Sequence, residues 1–180
     1  MTLLNNLRSP SRVITALPRL EAGLCRPIPR GGRLRELRSA RARATRCRVV
    51  MFDVNRLKQI NDTLGHKAGD ELIRAAADCI HACFEGVEDV FRLGGDEFCV
   101  ITTAAEDKAK ACLEALEARA AAFKGEFIDG FTISYGMASD AEAPDIEGIV
   151  KEADRRMYDY KRSFYSRAGN DRRQIGRAHV

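Results

Sequence analysis

Short apolar runs alternate along this chain with segments in which apolar residues recur every three to four positions. The apolar run at residues 49–52, which Val54 continues after a single Asp, predicts a buried strand over residues 49–54. Two further runs, at residues 90–93 and 98–102, flank Gly94-Gly95 and predict a hairpin, because glycine readily adopts the positive φ of tight turns. Residues 131–138 predict another strand. The apolar pattern alone therefore predicts several strands for one sheet.

Helical spacing fills the intervals between these strands. Apolar stripes predict helices over residues 57–64, from Asp70 to Gly86, over residues 106–123, and from Pro144 onwards. Asn55 is expected to cap the first helix, and a cap of the second helix is an alternative role for Asp70, because short polar side chains accept hydrogen bonds from free amides there. The order of strand, helices, hairpin, helix, strand and helix predicts an α+β fold, in which a mixed α/β sheet carries helices over its faces.

Length and composition indicate one domain and set the N-terminal segment apart. The chain has 180 residues, 45% of them hydrophobic, and a net charge of +4. Residues 1–48 hold twelve Arg, no Lys and four of the five prolines, with Glu21 and Glu36 as their only acids. We therefore divide the chain into this Arg- and Pro-rich segment, a domain at residues 49–165 and a polar tail at residues 166–180.

Residues 1–48 admit three interpretations. They fit a disordered or helical linker, or out-of-frame translation at the edge of a gene fragment. A basic arm could also bind nucleic acid or an anionic membrane, but the segment lacks Lys and interleaved aromatic residues, so we expect neither partner. The last six residues of the tail look like translated adapter sequence and are set aside from functional reasoning.

The remaining composition predicts a cytoplasmic protein. No apolar run approaches the roughly 18 residues of a membrane span, and arginines interrupt any signal-peptide core near the start. The six cysteines form no C-x-x-C pair and the three histidines are scattered, which argues against a zinc site. Four cysteines fall at apolar positions and predict small buried side chains in a reducing compartment: Cys79, Cys83, Cys99 and Cys112.

Carboxylates stand at the ends of two predicted strands. Asp53 ends the first strand, and Asp96-Glu97 follows the glycines of the hairpin. If the hairpin lies beside the first strand, Asp53 and Asp96 face each other across a small gap, where two negative charges repel unless a cation lies between them. Hard oxygen ligands favour Mg²⁺, which retains water and phosphate ligands. The pattern predicts a cation–phosphate site, with an ordinary acidic turn as the alternative.

Three segments carry a resemblance to a known family. They are the strand that ends at Asp53, the segment Asn61-Asp62-Thr63-Leu64-Gly65-His66-Lys67-Ala68-Gly69-Asp70, and the hairpin Phe91-Arg92-Leu93-Gly94-Gly95-Asp96-Glu97-Phe98. In this order and spacing they closely resemble the diguanylate cyclase family with its GGDEF motif, from about Val49 to Arg173. The resemblance implies a palm-like nucleotidyl cyclase fold and the condensation of two GTP into cyclic di-GMP and two pyrophosphates.

The resemblance also implies roles at the carboxylates and glycines. Asp53, the Val54 carbonyl and Asp96 would hold Mg²⁺ or Mn²⁺. Glu97 would act on the metal or activate the attacking hydroxyl, and Gly94-Gly95 would let the substrate approach the backbone. The implied phosphate contacts are the amides at a helix N-terminus and two lysines: Arg56, Leu57, Lys58 and Lys161.

Asn61 and Asp70 resemble the residues with which the family reads guanine. A carboxylate can accept both N1–H and the exocyclic amine of guanine, and an Asn amide can meet O6 or N7. Adenine would present an acceptor to Asp70, so this pair predicts a preference for GTP over ATP.

The last predicted helix departs from the family pattern at one position. Asp154, Tyr158 and Lys161 match the family and share one helix face. Four residues after Lys161 the family often has an Arg, but this chain has Tyr165. Either Arg162 or Arg167 would have to supply the second phosphate contact.

A second departure lies before the hairpin. Glu85 and Glu88 stand where many family members carry the Arg and Asp of a product-inhibition site. Because two acids repel a dinucleotide, we predict that the chain has no such inhibitory site.

The implied activity requires partners and leaves rival functions open. Each domain would hold one GTP, so two domains must meet as a homodimer to close a twofold-symmetric product. A sensory or regulatory domain, lost from this chain or separate from it, is also expected. The rivals are a degenerate GTP-binding regulatory module without turnover, a nucleic-acid-binding protein that uses the arginine-rich segment, and a different nucleotidyl cyclase.

Overall fold

The computed structural model describes residues 46–84 and 89–167, together with Arg26–Pro27 and Arg38. The strands of these residues are β1 (Arg26–Pro27), β2 (Arg48–Val54), β3 (Asp89–Gly94), β4 (Glu97–Thr102) and β5 (Ile133–Ser139). The helices are α1 (Leu57–Leu64), α2 (His66–Cys83), α3 (Glu106–Ala122) and α4 (Ile146–Arg167).

The strands form one sheet in the order β1-β3-β4-β2-β5. The four longer strands are antiparallel to their neighbours, and the two-residue β1 pairs with β3 in parallel. Strand β2 lies between β4 and β5, with Asp53 opposite Glu97 of β4 on one side and Ser134 of β5 on the other. The hairpin therefore lies beside the strand that carries Asp53 near its end, as the sequence predicts, and the α+β fold is confirmed.

Alternate side chains of β2 enter two different hydrophobic cores. Val50 and Phe52 are fully buried in the core that includes residues of α2 and α3, whereas Val49 and Met51 are fully buried in the core that includes residues of α4. Because side chains alternate along a strand, Asp53 belongs to the α4 face of the sheet. This placement decides which helix can reach the carboxylate.

The prediction that Asn55 caps the first helix is wrong. Asn55 is buried, its Nδ2 donates to Thr132 Oγ1 at 3.2 Å, and its Oδ1 accepts from Ser134 Oγ at 2.9 Å. Arg56 precedes α1 instead, with a φ of 64° and no capping side chain. The long-range hydrogen bonds fix Asn55 in the core, so its side chain is not available to the helix amides.

The prediction that Asp70 caps the second helix is also wrong. Helix α2 begins at His66, and Gly65, with a φ of 86°, is the only residue between the two helices. A single residue in this left-handed conformation is enough to redirect the chain, so the second glycine of the segment lies inside α2. Asp70 consequently projects from the second turn of the helix and is exposed to solvent.

Other local boundaries shift by one or two residues. Gly94 pairs with Glu97 across an irregularity in β3, so the two turn residues are Gly95-Asp96 and not the two glycines. Strand β5 begins at Ile133 and not at Phe131. The Phe131 amide donates a hydrogen bond of 3.0 Å to a carbonyl in the last turn of α3, so it is not available for pairing with a strand. Two of the cysteines predicted to be buried, Cys83 and Cys112, are only partly buried.

Candidate active site

The end of β2 and the hairpin turn bring three carboxylates together. Asp53 and Glu97 are directly opposite each other on neighbouring strands, where paired side chains lie on the same face. The Val54 amide donates to the Asp96 carbonyl at 3.0 Å and holds the turn against β2. Asp53, Asp96 and Glu97, which the sequence predicts to act together, therefore share one edge of the sheet.

Asp53 is the buried member of this group, with 5% of its surface exposed. Burial raises the pKa of the Asp53 carboxyl to about 6; the negative charge of Asp96 adds to this shift, and Lys161 opposes it. Within the described part of the chain, Asp53 Oδ1 is the buried side-chain oxygen or nitrogen left without a hydrogen-bond partner. A buried, unpartnered carboxylate oxygen beside a second carboxylate is the environment that a divalent cation would stabilise.

The donor set fits a cation that keeps part of its coordination for substrate. No cluster of three or more His, Cys, Asp or Glu side chains suited to a metal occurs in residues 46–84 and 89–167. The predicted set of Asp53, Asp96 and the Val54 carbonyl contains only two side chains, all of its donors are oxygen atoms, and it suits Mg²⁺ with water and phosphate ligands. Such an incomplete protein shell is typical of ions that bind with a nucleotide.

Helix α4 supplies the cation that Asp53 contacts in this structure. Lys161 Nζ lies 2.7 Å from Asp53 Oδ2. Burial lowers the pKa of Lys161, but the Asp53 carboxylate and its hydrogen bond outweigh this effect and raise the pKa above its usual value. The lysine predicted to meet phosphate therefore already lies at the predicted metal site.

Close packing of α4 on β5 makes this contact possible. A Cβ on Gly136 would lie 2.1 Å from the Ala153 carbonyl oxygen and 2.2 Å from the Met157 amide nitrogen. Gly136 thus lets the backbones of β5 and α4 approach directly, which brings Lys161 within reach of the end of β2.

Arg92 braces the hairpin turn, a role that the sequence reasoning missed. Its Nε and one terminal nitrogen donate to the Gly95 carbonyl at 3.2 and 2.8 Å. Gly95 has a φ of 34°, which disfavours a side chain at this position. The available signal was an Arg two residues before Gly94, at a strand end where a side chain can fold back onto the turn.

The loop between β2 and α1 presents the predicted phosphate-binding amides. The first amides of a helix have no acceptor within the helix, and Arg56 and Leu57 lie at this end of α1. The Arg56 amide donates to the Tyr165 hydroxyl at 3.3 Å. Lys58 forms an exposed ion pair with Asp62 at 3.2 Å, a type of contact that contributes little and is easily exchanged.

The predicted guanine reader Asn61 lies where α1 packs on α2. Gly69 lies against Asn61 so closely that a Cβ on Gly69 would be 2.0 Å from Asn61 Oδ1. Asp70 follows Gly69 and is exposed, while Asn61 is half-buried. The next residue, Glu71, accepts hydrogen bonds from the amides of residues 126–128 at 2.7 to 3.0 Å and ties this end of α2 to a surface turn.

Several predicted features take no part in this constellation. Glu85 and Glu88 lie outside the described residues, so the prediction that the product-inhibition site is absent stays a prediction. Arg162 and Arg167 are exposed. Among the described helices, none combines the length and apolar character that a bilayer crossing requires.

The family profile described as "Diguanylate cyclase, GGDEF domain" matches residues 33–167. The chain belongs to the GGDEF-domain family of diguanylate cyclases. Diguanylate cyclase DosC of Escherichia coli K12 is 33% identical to this GGDEF chain over an alignment of 133 residues. The alignment covers 71% of this chain and 29% of DosC. This GGDEF chain thus spans less than a third of that relative's length.

Solved structures show the same fold. The GGDEF domain of DgcB from Caulobacter crescentus, determined in complex with c-di-GMP, superposes with a TM-score of 0.68 at 26% identity, covering 83% of this chain and 94% of that chain. The diguanylate cyclase SiaD of Pseudomonas aeruginosa, determined with its activator SiaC, gives a TM-score of 0.64 at 25% identity, covering 74% of this chain and 55% of that chain. The α+β architecture is therefore that of GGDEF domains.

Proposed function

We propose that this GGDEF domain is an active diguanylate cyclase, which condenses two GTP into cyclic di-GMP and two pyrophosphates. The observation that carries the proposal is the unpartnered Oδ1 of buried Asp53 beside Asp96 and Glu97. A domain that had lost both metal binding and catalysis would be under no constraint to keep these three acids together at one sheet edge. Relatives named as diguanylate cyclases support the same activity.

Asp53, Asp96 and the Val54 carbonyl would hold Mg²⁺ or Mn²⁺. Bound there, the ion would polarise the α-phosphate and stabilise the attacking and leaving oxygens. Asp53 must be ionised to serve as a ligand, and its raised pKa means that it binds metal best above about pH 6.

The guanine and the triphosphate would bind at two separate parts of the site. Asp70 would accept hydrogen bonds from N1–H and the exocyclic amine of guanine, Asn61 would donate to O6 or N7, and GTP would be preferred to ATP. Arg56 and Leu57 would offer amides to the phosphates, and Lys58 and Lys161 would offer ammonium groups. Gly94 and Gly95 would admit the substrate close to the hairpin backbone. The space in which a side chain would begin is open at both glycines, because a Cβ there would have no atom within 4 Å apart from those of its chain neighbours.

Glu97 is proposed to assist proton removal from the ribose 3′-hydroxyl. The oxygen of that hydroxyl attacks the α-phosphorus of a second GTP, the new P–O bond forms, and the α–β bridge breaks with release of pyrophosphate. Repetition with the roles exchanged closes the cyclic product. Because each domain has one such site, the proposal requires a homodimer that places two GTP-loaded domains face to face.

We also propose that another domain or a separate protein regulates the activity of this GGDEF domain. The chain corresponds to 29% of DosC and 44% of the relative DgcS, so most of these proteins lies outside the matching domain. SiaD, which has an activator protein, shows one form that control takes in a relative. A cytoplasmic location, where GTP is available, fits the proposed substrate.

Product analysis tests the proposal directly. The full chain at high concentration is incubated with GTP and Mg²⁺, beside Glu97→Gln and a control, Glu126→Gln, which removes an exposed charge elsewhere. We expect cyclic di-GMP from the wild type and from Glu126→Gln, and a loss of at least about a hundredfold in Glu97→Gln. GTP binding without product in all three proteins would favour the regulatory module instead.

A further inference from the structure

Tyr165 occupies the position at which the family often has an Arg, and it contacts the loop between β2 and α1, which is proposed to receive the triphosphate. Its hydroxyl accepts the hydrogen bond of the Arg56 amide at 3.3 Å, although 109 residues separate the two in sequence. The neighbouring Phe164 supports this arrangement, because its ring packs edge-on against the Tyr165 ring and lies 5.6 Å from the Arg56 guanidinium carbon. The loop and the end of α4 are thus joined by one hydrogen bond and an aromatic cluster.

The Tyr165 hydroxyl lies on the same side of α4 as the lysine at the active site. Lys161 precedes Tyr165 by one helical turn, and residues with this spacing share a face. Arg162 and Arg167 lie about 100° and 240° from Lys161 around the helix axis and are exposed, so neither is aligned with this face.

The hydroxyl therefore contacts one group proposed to bind phosphate, the Arg56 amide, and lies on the face of α4 that carries another, the Lys161 ammonium. In the described part of the chain it accepts a hydrogen bond, and its own proton has no protein acceptor. A hydroxyl group can reverse its role by rotation, since it carries one proton and two lone pairs. A phosphate oxygen that takes over the Arg56 amide would present an acceptor to that proton.

We propose that Tyr165 is a phosphate-binding residue of this site, with its hydroxyl as the donor that replaces the family's arginine. In the absence of nucleotide it holds the Arg56 amide, and with GTP bound it donates to a terminal phosphate oxygen. This inference rests on the proposed function, because it assumes that the β2–α1 loop receives the triphosphate. At position 165 this chain would therefore bind phosphate through a neutral hydrogen bond, where the family pattern has the charged side chain of an Arg.

Nucleotide affinity of the full chain provides the test. The probe is a GTP analogue with a methylene bridge between its α- and β-phosphorus, which prevents turnover, and calorimetry with Mg²⁺ gives its affinity. Tyr165→Phe keeps the ring and removes only the hydroxyl, Arg162→Ala is the control on a neighbouring face, and Lys161→Ala reports on the site as a whole. GMP, which lacks the terminal phosphates, serves as the control ligand.

We expect Tyr165→Phe to weaken analogue binding about tenfold, as for loss of one hydrogen bond to a charged group, and to leave GMP binding unchanged. Tyr165→Arg should restore the affinity and make it more sensitive to salt. Wild-type affinity in Tyr165→Phe, with weaker binding in Lys161→Ala, would overturn this inference and leave the proposed function standing. Tighter binding in Tyr165→Phe would also overturn it, because the hydroxyl would then compete with phosphate for the Arg56 amide. Absence of binding to the wild type would overturn both proposals.

Discussion

The Lys161 ammonium lies 2.7 Å from Oδ2 of Asp53, and this ion pair joins helix α4 to the end of strand β2 across 108 residues. It neutralises one oxygen of a buried carboxylate while the other oxygen stays without a partner. Asp53, the predicted metal ligand, and Lys161, the predicted phosphate-binding residue, are therefore in contact before metal or nucleotide binds. Changes that move α4 should consequently affect metal and nucleotide binding together.

The raised pKa of Asp53 predicts how stability depends on pH. Because the value of about 6 in the folded chain exceeds the ordinary 3.8, the folded state retains a proton between these values that the unfolded state releases. The stabilising contribution is therefore complete below about pH 4 and is lost as the pH rises through 6. Relative to Asp53→Asn, the metal-free wild type should lose roughly 3 kcal/mol of unfolding free energy over this interval.

Urea unfolding of the two proteins from pH 4 to pH 7.5 measures this difference, and groups common to both cancel. Added Mn²⁺ should restore stability to the wild type at pH 7 and leave Asp53→Asn unchanged. A wild-type-minus-variant difference that stays constant with pH would show that Asp53 ionises normally.

Arg92→Met should impair turnover more than substrate binding. The substitution removes both donors to the Gly95 carbonyl and frees the turn that carries Asp96. Because the Gly95 carbonyl belongs to an exposed residue, the loss of stability should be only about 1 kcal/mol. We expect kcat to fall about tenfold with KM for GTP within a factor of about two, and Arg92→Lys to recover part of the loss. Steady-state kinetics measures both parameters. An unchanged kcat in Arg92→Met would show that Arg92 does not hold the turn in its active position.

Gly69→Ala should reduce the preference for guanine. The new Cβ would lie 2.0 Å from Asn61 Oδ1 and would force that side chain to rotate. Since alanine favours helices by about 1 kcal/mol over glycine, the unfolding free energy should change little. The ratio of GTP affinity to ATP affinity should fall by about tenfold, as we also expect for the companion variant Asn61→Ala, while Asp70 keeps the rest of the preference and tripolyphosphate affinity stays at the wild-type value. A ratio equal to that of the wild type in both variants would show that Asn61 does not read the base.

Gly136→Ala should strongly destabilise the domain. Its Cβ would lie 2.1 Å from a carbonyl oxygen and 2.2 Å from an amide nitrogen of the α4 backbone, and the backbone has no rotamer by which to move aside. We expect a loss of about 3 kcal/mol or more, measured by chemical unfolding. Ser163→Ala, at an exposed position of the same helix, should stay within about 0.5 kcal/mol of the wild type. Equal stability of the two variants would indicate that α4 can shift without penalty.

Local patterns in the sequence determined the order of strands and helices and the presence of the hairpin. Apolar periodicity and turn glycines act over a few residues, so they are readable without knowledge of distant contacts. The same locality explains the errors. Asn55 and Asp70 look like helix caps in isolation, but Asn55 is held by Thr132 and Ser134, and Gly65 alone separates the helices.

Only the tertiary structure decided how the predicted site residues are oriented and paired. The strand register placed Asp53 opposite Glu97, and the close approach of α4 to β5 brought Lys161 to Asp53 and Tyr165 to Arg56. The two contacts made by α4 join residues more than 100 positions apart and depend on side-chain direction and helix packing, which no local spacing encodes. The sequence by itself determined which chemical groups are present and in what order, and the packing of α4 on the sheet determined which of them meet.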